Sequence, residues 1–241
     1  MKKSTTLALL LSGIGGVTAL QAALVADDFS SGLGNWTSTV ILDANGGGSN
    51  TAAFQVNSGQ LELNTTVFDG IEQSAFIYNG LSLAIGEEVQ LDVISFSGND
   101  GNDALGLYVG GTAPTVGVRQ DYVTVYNKNS GGLFTRGFDG PSEFPSSGSS
   151  IGNPTYETLF IARTDTNTFE TGYYAGGVRT VGQTRTPGTP NSADYVGIYS
   201  DARNLGTIGS VDNFRVVAIP EPSVALLGGF GFLGLLRRRR A

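Results

Sequence analysis

Between Leu24 and Val217 no apolar run keeps a helical period over a dozen residues. Short stretches of Val, Ile, Leu, Tyr, Phe and Thr are cut repeatedly by Gly, Asn, Asp and Ser, the residues that close tight turns. That punctuation leaves little room for helices and predicts an all-β body. Strands are expected at Leu24–Phe29, Trp36–Leu42, Ala52–Val56, Gln60–Asn64, Gly70–Tyr78, Glu87–Ser97 and Ala104–Val109. Further strands are expected at Tyr122–Asn127, Leu133–Phe138, Thr158–Arg163, Phe169–Tyr174, Tyr195–Ser200 and Ser210–Val217. Asn57-Ser58-Gly59 reads as a three-residue hairpin loop. Asn129–Gly132 and Asp165–Asn167 read as hairpin turns, and Gly140–Thr155 and Val181–Asn191 as surface loops. About a dozen strands with even spacing favour two packed antiparallel sheets, a jelly-roll sandwich. A β-helix would need a repeat of fixed period, and none is found. The chain has no Cys, so no disulfide staples the body and its core must hold it together.

The two ends differ from the body. Met1–Ala26 starts with Lys2 and Lys3, continues through apolar Leu7–Leu20 and ends in small residues, the order of a secretory signal. Its cleavage could fall after Ala19, Ala22 or Ala23. We divide the chain as 1–23 signal peptide (a short helix), 24–217 β-sandwich, and 218–241 tail. In the tail Pro220, Glu221, Pro222 and Ser223 precede the uncharged Val224–Leu236 and then Arg237, Arg238, Arg239 and Arg240. The thirteen apolar residues would make a helix of about 20 Å. A bilayer core is roughly 30 Å, so this is a short transmembrane helix that needs snorkelling Arg side chains and inward-dipping flanks. The four Arg act as a membrane stop on the cytoplasmic side. Of 14 basic residues six lie in these ends, leaving 8; of 21 acidic residues Glu221 is in the tail, leaving 20. The body is therefore about −12, which argues against nucleic acid as a partner.

The three-part order of the tail resembles the PEP-CTERM sorting signal, whose last module is sometimes catalogued as an ice-binding-protein C-terminal domain. The resemblance implies export, transient inner-membrane anchoring, processing by an exosortase near Pro220-Glu221-Pro222, and a final place at the cell surface or outside the cell. It also implies the company of exopolysaccharide. A second resemblance lies in the body. Asp27-Asp28-Phe29, Phe54-Gln55-Val56, Gly59-Gln60-Leu61-Glu62-Leu63 and Val211-Asp212-Asn213-Phe214-Arg215-Val216 are similar to concanavalin/laminin-G-like jelly rolls. That likeness implies first and last strands lying side by side, on a fold that hosts lectins, adhesins and glycosidases alike.

The residue inventory narrows the chemistry. With no His and no Cys, the usual Ser-His-Asp, Cys-His and Cys/His zinc arrangements cannot be assembled. Paired carboxylates remain, but the Glu-x-Asp-x-x-Glu spacing of laminarinase-type glycosidases is absent, and Glu87, Glu88 and Asp92 do not reproduce it. The expectation is a non-catalytic protein with no cofactor. Asp100, Asn102 and Asp103, around Gly101, are the candidate calcium ligands, and the competing reading is a polar hairpin turn. Asp27, Asp28 and Asp212 could meet if the first and last strands pair. Tyr173, Tyr174, Tyr195 and Tyr199 are candidate glycan-stacking residues, since an aromatic face packs on a sugar's C–H surface; the competing reading is core. The sequence thus points to an exported β-sandwich that associates with extracellular polysaccharide. The alternatives are a glycan-cleaving enzyme on the same fold and a purely structural or adhesive surface protein.

Overall fold

The computed structural model describes residues 23–44, 54–65, 70–98, 100–203 and 205–219, with the side chains of 145–147 excepted. The signal-peptide helix and the tail helix, with Pro220–Ser223 and Arg237–Arg240, lie outside the described residues. The described chain is all β, in fifteen strands. They are β1 Val25–Asp27, β2 Trp36–Asp43, β3 Phe54–Asn57, β4 Gln60–Thr65, β5 Glu72–Tyr78, β6 Glu87–Phe96, β7 Ala104–Gly110 and β8 Tyr122–Lys128. The rest are β9 Gly132–Asp139, β10 Ser142–Gly152, β11 Thr158–Asp165, β12 Thr168–Ala175, β13 Val178–Arg185, β14 Tyr195–Ala202 and β15 Gly206–Ala218. All pairings are antiparallel.

They form two sheets. One has the order β13-β12-β11-β6-β15-β4-β3, with β1 also on β15; the other is β10-β9-β8-β7-β14-β5-β2. Alternating residues fill the space between them. Leu105, Leu107 and Val109 from β7 join Val89 and Leu91 from β6, Leu159 and Ile161 from β11, and Val196 and Ile198 from β14 in one core. Among the described residues no helix is long and apolar enough to cross a membrane.

First and last strands do lie side by side, with Val25 opposite Val216 and Asp27 opposite Phe214. The Asp212-Asn213-Phe214 stretch explains how. The pairing of β15 with β6 slips between Asp212 and Arg215, a β-bulge, and Asn213 takes φ 50, which Asn tolerates better than most residues. The bulge turns Phe214 into the core, where its ring lies 4.9 Å from Trp36. Trp36 also stacks on Phe76 at 4.8 Å and lies 5.6 Å from Phe29. Its indole N–H donates to Asp27 Oδ2 at 2.8 Å, so one carboxylate ties β1 to the start of β2. Asp27→Ala leaves that donor without its acceptor and should cost about 1–2 kcal/mol, read as a lower urea midpoint at unchanged slope.

Two expected loops are strands. Gly140–Thr155 contains β10 and Val181–Asn191 overlaps β13. Both are outermost in their sheets, and both carry register shifts, in β10 after Phe144 and in β13 opposite Thr171 and Gly172. Edge strands need partners on one side only, so they tolerate Pro, Gly and polar runs that a central strand would not. The hairpin at Ser58 is also tighter than expected. Asn57 pairs Gln60, leaving a two-residue loop in which Ser58 and Gly59 have φ 55 and 80, as a type I′ turn requires.

Candidate functional site

The face of the β10–β2 sheet that points away from the core is built from tyrosine and glycine. Cross-strand register sets Gly106 between Tyr199 and Tyr126, Gly110 between Tyr195 and Tyr122, and Gly197 beside Tyr108. At Gly110 the missing side chain leaves a gap that a neighbouring ring fills, since a Cβ there would meet the Tyr108 ring at 2.8 Å; at Gly106 and Gly197 it lets the backbone of the neighbouring strand approach. The rings then pave the sheet. Tyr108 and Tyr122 are 4.9 Å apart, Tyr122 and Phe138 4.9 Å, and Tyr126 and Tyr199 5.2 Å.

Cations cap the pavement. The Arg119 guanidinium lies 4.8 Å over Phe138, the Lys128 ammonium 5.2 Å over Phe134, and Arg136 pairs with Glu143 at 2.8 Å. The segment 111–121 leaves β7 and reaches β2, where the Gly117 N–H donates to Val40 O at 3.0 Å. The hydroxyls of Tyr122 and Tyr199 are buried without a hydrogen-bond partner. Burial pushes both phenols well above their usual range; the Asp201 charge adds to it for Tyr199, and Tyr108 for Tyr122. Arg136 is held above its ordinary value. Its own burial works the other way, against the charge of the Glu143 carboxylate that it pairs with.

The opposite sheet carries a polar ladder on its outer face. Glu88 Oε1 accepts from Gln90 Nε2 at 2.7 Å and from the Tyr174 hydroxyl at 2.8 Å, and Oε2 accepts from Arg179 Nε at 2.7 Å. Arg179 also reaches Glu170 at 3.0 Å and lies 4.0 Å over the Phe160 ring. Asp92 Oδ1 accepts from the Thr158 hydroxyl at 2.6 Å and from Arg215 at 3.0 Å. Burial, and then the Glu88 charge, push the Tyr174 phenol up.

The four candidate tyrosines do not share a surface. Tyr173 and Tyr174 are sequence neighbours and point to opposite faces of β12. Tyr173 packs on the core beside Tyr156, and Tyr174 serves the Glu88 ladder on the far side. Tyr195 and Tyr199 do share a face, but Tyr199 is 0% exposed and has no ring surface to offer a sugar, which corrects the glycan reading at that position. Tyr195 and Phe134 are the partly exposed aromatics of this face. Sequence reasoning missed Phe134, Arg136 and Glu143; the alternation of Phe134, Arg136 and Phe138 on β9 opposite the tyrosines was the available signal.

The Asp100 loop closes on itself. Asp100 Oδ1 accepts from the Asn102 N–H at 2.8 Å, Asp103 Oδ2 from the Asp100 N–H at 2.7 Å, and Asp103 Oδ1 from the Arg203 N–H at 2.9 Å. These oxygens are committed to N–H groups, as in a polar turn. Asp27 and Asp28 line a cavity of about 410 Å³ with Asn213, Phe214 and Arg215 at the β1–β15 junction. Asp27 accepts from Phe29 N and Trp36, Asp28 from Ser30, and Asp212 from Asn213 N. Among the described residues no group of three or more acidic side chains is placed to hold a metal ion.

No protein-family model and no curated protein matches the sequence. Solved structures do resemble the fold. A structure from work on endo-acting O-glycanases of prominent members of the human gut microbiota superposes with a TM-score of 0.55 at 12% identity, over 83% of this chain and 100% of that one. The VIP36 exoplasmic/lumenal domain in its Ca2+/Man-bound form gives 0.50 at 11%, over 81% and 88%. A legume lectin-like domain from Entamoeba histolytica gives 0.50 at 9%, over 77% and 91%. At such identities the likeness establishes a lectin-like two-sheet fold.

Proposed function

We propose that the protein is an exported, non-catalytic surface or matrix protein, sorted through a PEP-CTERM tail and associated with exopolysaccharide through its sandwich. The observation that carries the reading is the junction at Ile219. The last strand ends at Ala218, the Ile219 N–H donates to Gly86 O at 2.7 Å, and Pro220-Glu221-Pro222 begins at the next residue. The last described strand thus ends just before Pro220-Glu221-Pro222 in the sequence, which suits a processed tail.

The carboxylate geometry supports a non-catalytic body. Asp201 and Glu143 share the tyrosine face but stand on β14 and β10, four strand intervals apart, roughly 19 Å. Glycoside hydrolysis needs about 5–9.5 Å. Glu88 and Glu170 do converge, but on Arg179, and Glu88 has both oxygens taken up in hydrogen bonds. Lectin-like neighbours of the fold make a sugar ligand reasonable, with Tyr195 and Phe134 as the rings available to stack.

The test is a glycan array together with a pull-down on the producer's own exopolysaccharide. Binding is expected, and Tyr195→Ala and Phe134→Ala should each weaken it roughly three- to tenfold, the worth of one lost stacking ring. Failure of the parent to bind either material would remove the polysaccharide half of the proposal. Cleavage of any glycan would favour the enzyme reading instead.

A further inference from the structure

Both termini of the folded body leave from one end of the sandwich. The Leu24 N–H donates to Val216 O at 2.8 Å, and Ile219 bonds Gly86 beside it. The same end gathers the segments 79–86, 111–121, 165–167 and 186–194. They are tied by Leu83 N to Ala193 O at 2.9 Å, Gly86 N to Arg163 O at 2.8 Å and Arg163 to Ser192 O at 2.6 Å. The turns at 100–103, 129–131 and 153–157 lie at the other end, where Asn129 N meets Asp103 O.

Four residues, Pro220–Ser223, separate Ile219 from the apolar Val224–Leu236. Fully extended they reach at most about 14 Å. Crossing one headgroup layer takes roughly 5–8 Å of that. Thirteen residues as a helix would span about 20 Å, shorter than the bilayer core, so a membrane-spanning tail would draw part of the spacer inward. Such a tail would leave the sandwich no slack to swing away from the membrane.

We infer that, while the tail is in place, the 79–86, 111–121, 165–167 and 186–194 end is pressed against the outer leaflet of the inner membrane, and the opposite end is the presented one. The inference rests on the tail acting as a membrane anchor. The tether imposes it rather than charge, because this end is not basic. Asp121, Asp139, Asp165 and Asp194 are all here, each accepting from a neighbouring N–H or hydroxyl. The bilayer thus covers this end first. Ligands reach the distal turns and the open parts of the sheet faces without removal of the tail.

The absence of Cys makes single-cysteine labelling a clean test. In the membrane-held full chain, Thr166→Cys and Ala84→Cys report the tethered end; Ser130→Cys and Thr155→Cys report the other. Ser130 stands roughly 23 Å farther from the bilayer, the seven-residue length of β8. A bulky maleimide polymer should label the first pair at least about tenfold more slowly, equivalent to ~1.4 kcal/mol of exclusion. Insertion of about eight Gly/Ser residues between Ile219 and Pro220, a coil of roughly 15 Å, should restore the rate at Thr166→Cys. Equal labelling of both ends in a membrane-held chain overturns the inference, as does shielding that the insertion leaves unchanged. A chain that does not fractionate with membranes removes the anchor reading itself. Two positions at each end keep the outcome readable if one variant does not fold.

Discussion

Gly197→Ala should be among the most damaging single changes in this chain, at more than about 4 kcal/mol. A Cβ at that position would lie 2.0 Å from Phe76 O and 2.8 Å from Ile77 Cα, both backbone atoms of β5. Backbone cannot rotate aside as a side chain can. Strand β14 is also held from its other edge by β7, through Val196 opposite Val109 and Ile198 opposite Leu107, so it has nowhere to move. Gly106→Ala meets the same obstacle, with Val125 O at 2.1 Å. For a body of about 190 residues the loss corresponds to a melting point lower by roughly 10 °C or more. Gly34→Ala is the control, since a Cβ there has nothing within 4 Å, and its effect should stay within about 0.5 kcal/mol. A Gly197→Ala protein that melts with the parent would mean that β14 does not lie against β5 as described.

The same glycines show what the sequence could and could not convey. Alternation within Ala104–Gly110 put Leu105, Leu107 and Val109 on one face, and they are the core. The other face, Ala104, Gly106, Tyr108 and Gly110, carries small and polar-tipped residues that alternation alone does not mark as covered, yet every residue of β7 is buried. Period-two patterning assigns side chains to faces but does not say which faces are covered. A near-continuous apolar run such as Tyr195–Tyr199 was the cue that both faces of a central strand are buried. The edge strands failed for the opposite reason. β10 and β13 are polar and irregular because one side of each has no ladder to maintain, so their composition mimics a loop. Ion pairs formed across strands, such as Arg179 with Glu88 and Arg215 with Asp92, depend on a strand order that no local pattern encodes. The motif Asp212-Asn213-Phe214 entered through the resemblance to jelly rolls, which implied that first and last strands pair; the bulge and the positive φ of Asn213 interrupt what the pattern gave as a plain strand.

Alkaline pH should unfold the body far more steeply than acid-to-neutral changes do. The chain has no His or Cys, so no side-chain group of those types titrates between the carboxylates and the tyrosines. Tyr108, Tyr122 and Tyr199 are essentially sealed. Burial raises the phenol of each above its ordinary value; Asp121 adds to this at Tyr108, Tyr108 at Tyr122 and Asp201 at Tyr199. In the unfolded chain these phenols ionise near 10, while in the fold they keep their protons. The folded state then binds more protons, so their contribution is complete below pH 10 and is lost as the pH climbs beyond it. Each unit costs ~1.36 kcal/mol per tyrosine, about 4 kcal/mol for the three, against a typical total of 5–15 kcal/mol. Urea unfolding at about pH 8, 10 and 11, with tyrosinate absorbance as a second probe, reads this directly. Tyr199→Phe separates burial from other alkaline effects. It removes a hydroxyl that has no partner, so stability at neutral pH should hold or rise slightly. It also removes one of six phenols that burial raises, the others being Tyr108, Tyr122, Tyr126, Tyr156 and Tyr174, so the alkaline slope should fall by about a sixth. A parent and a Tyr199→Phe variant with the same slope would show that water already reaches this ring, and with it the tyrosine face as a whole.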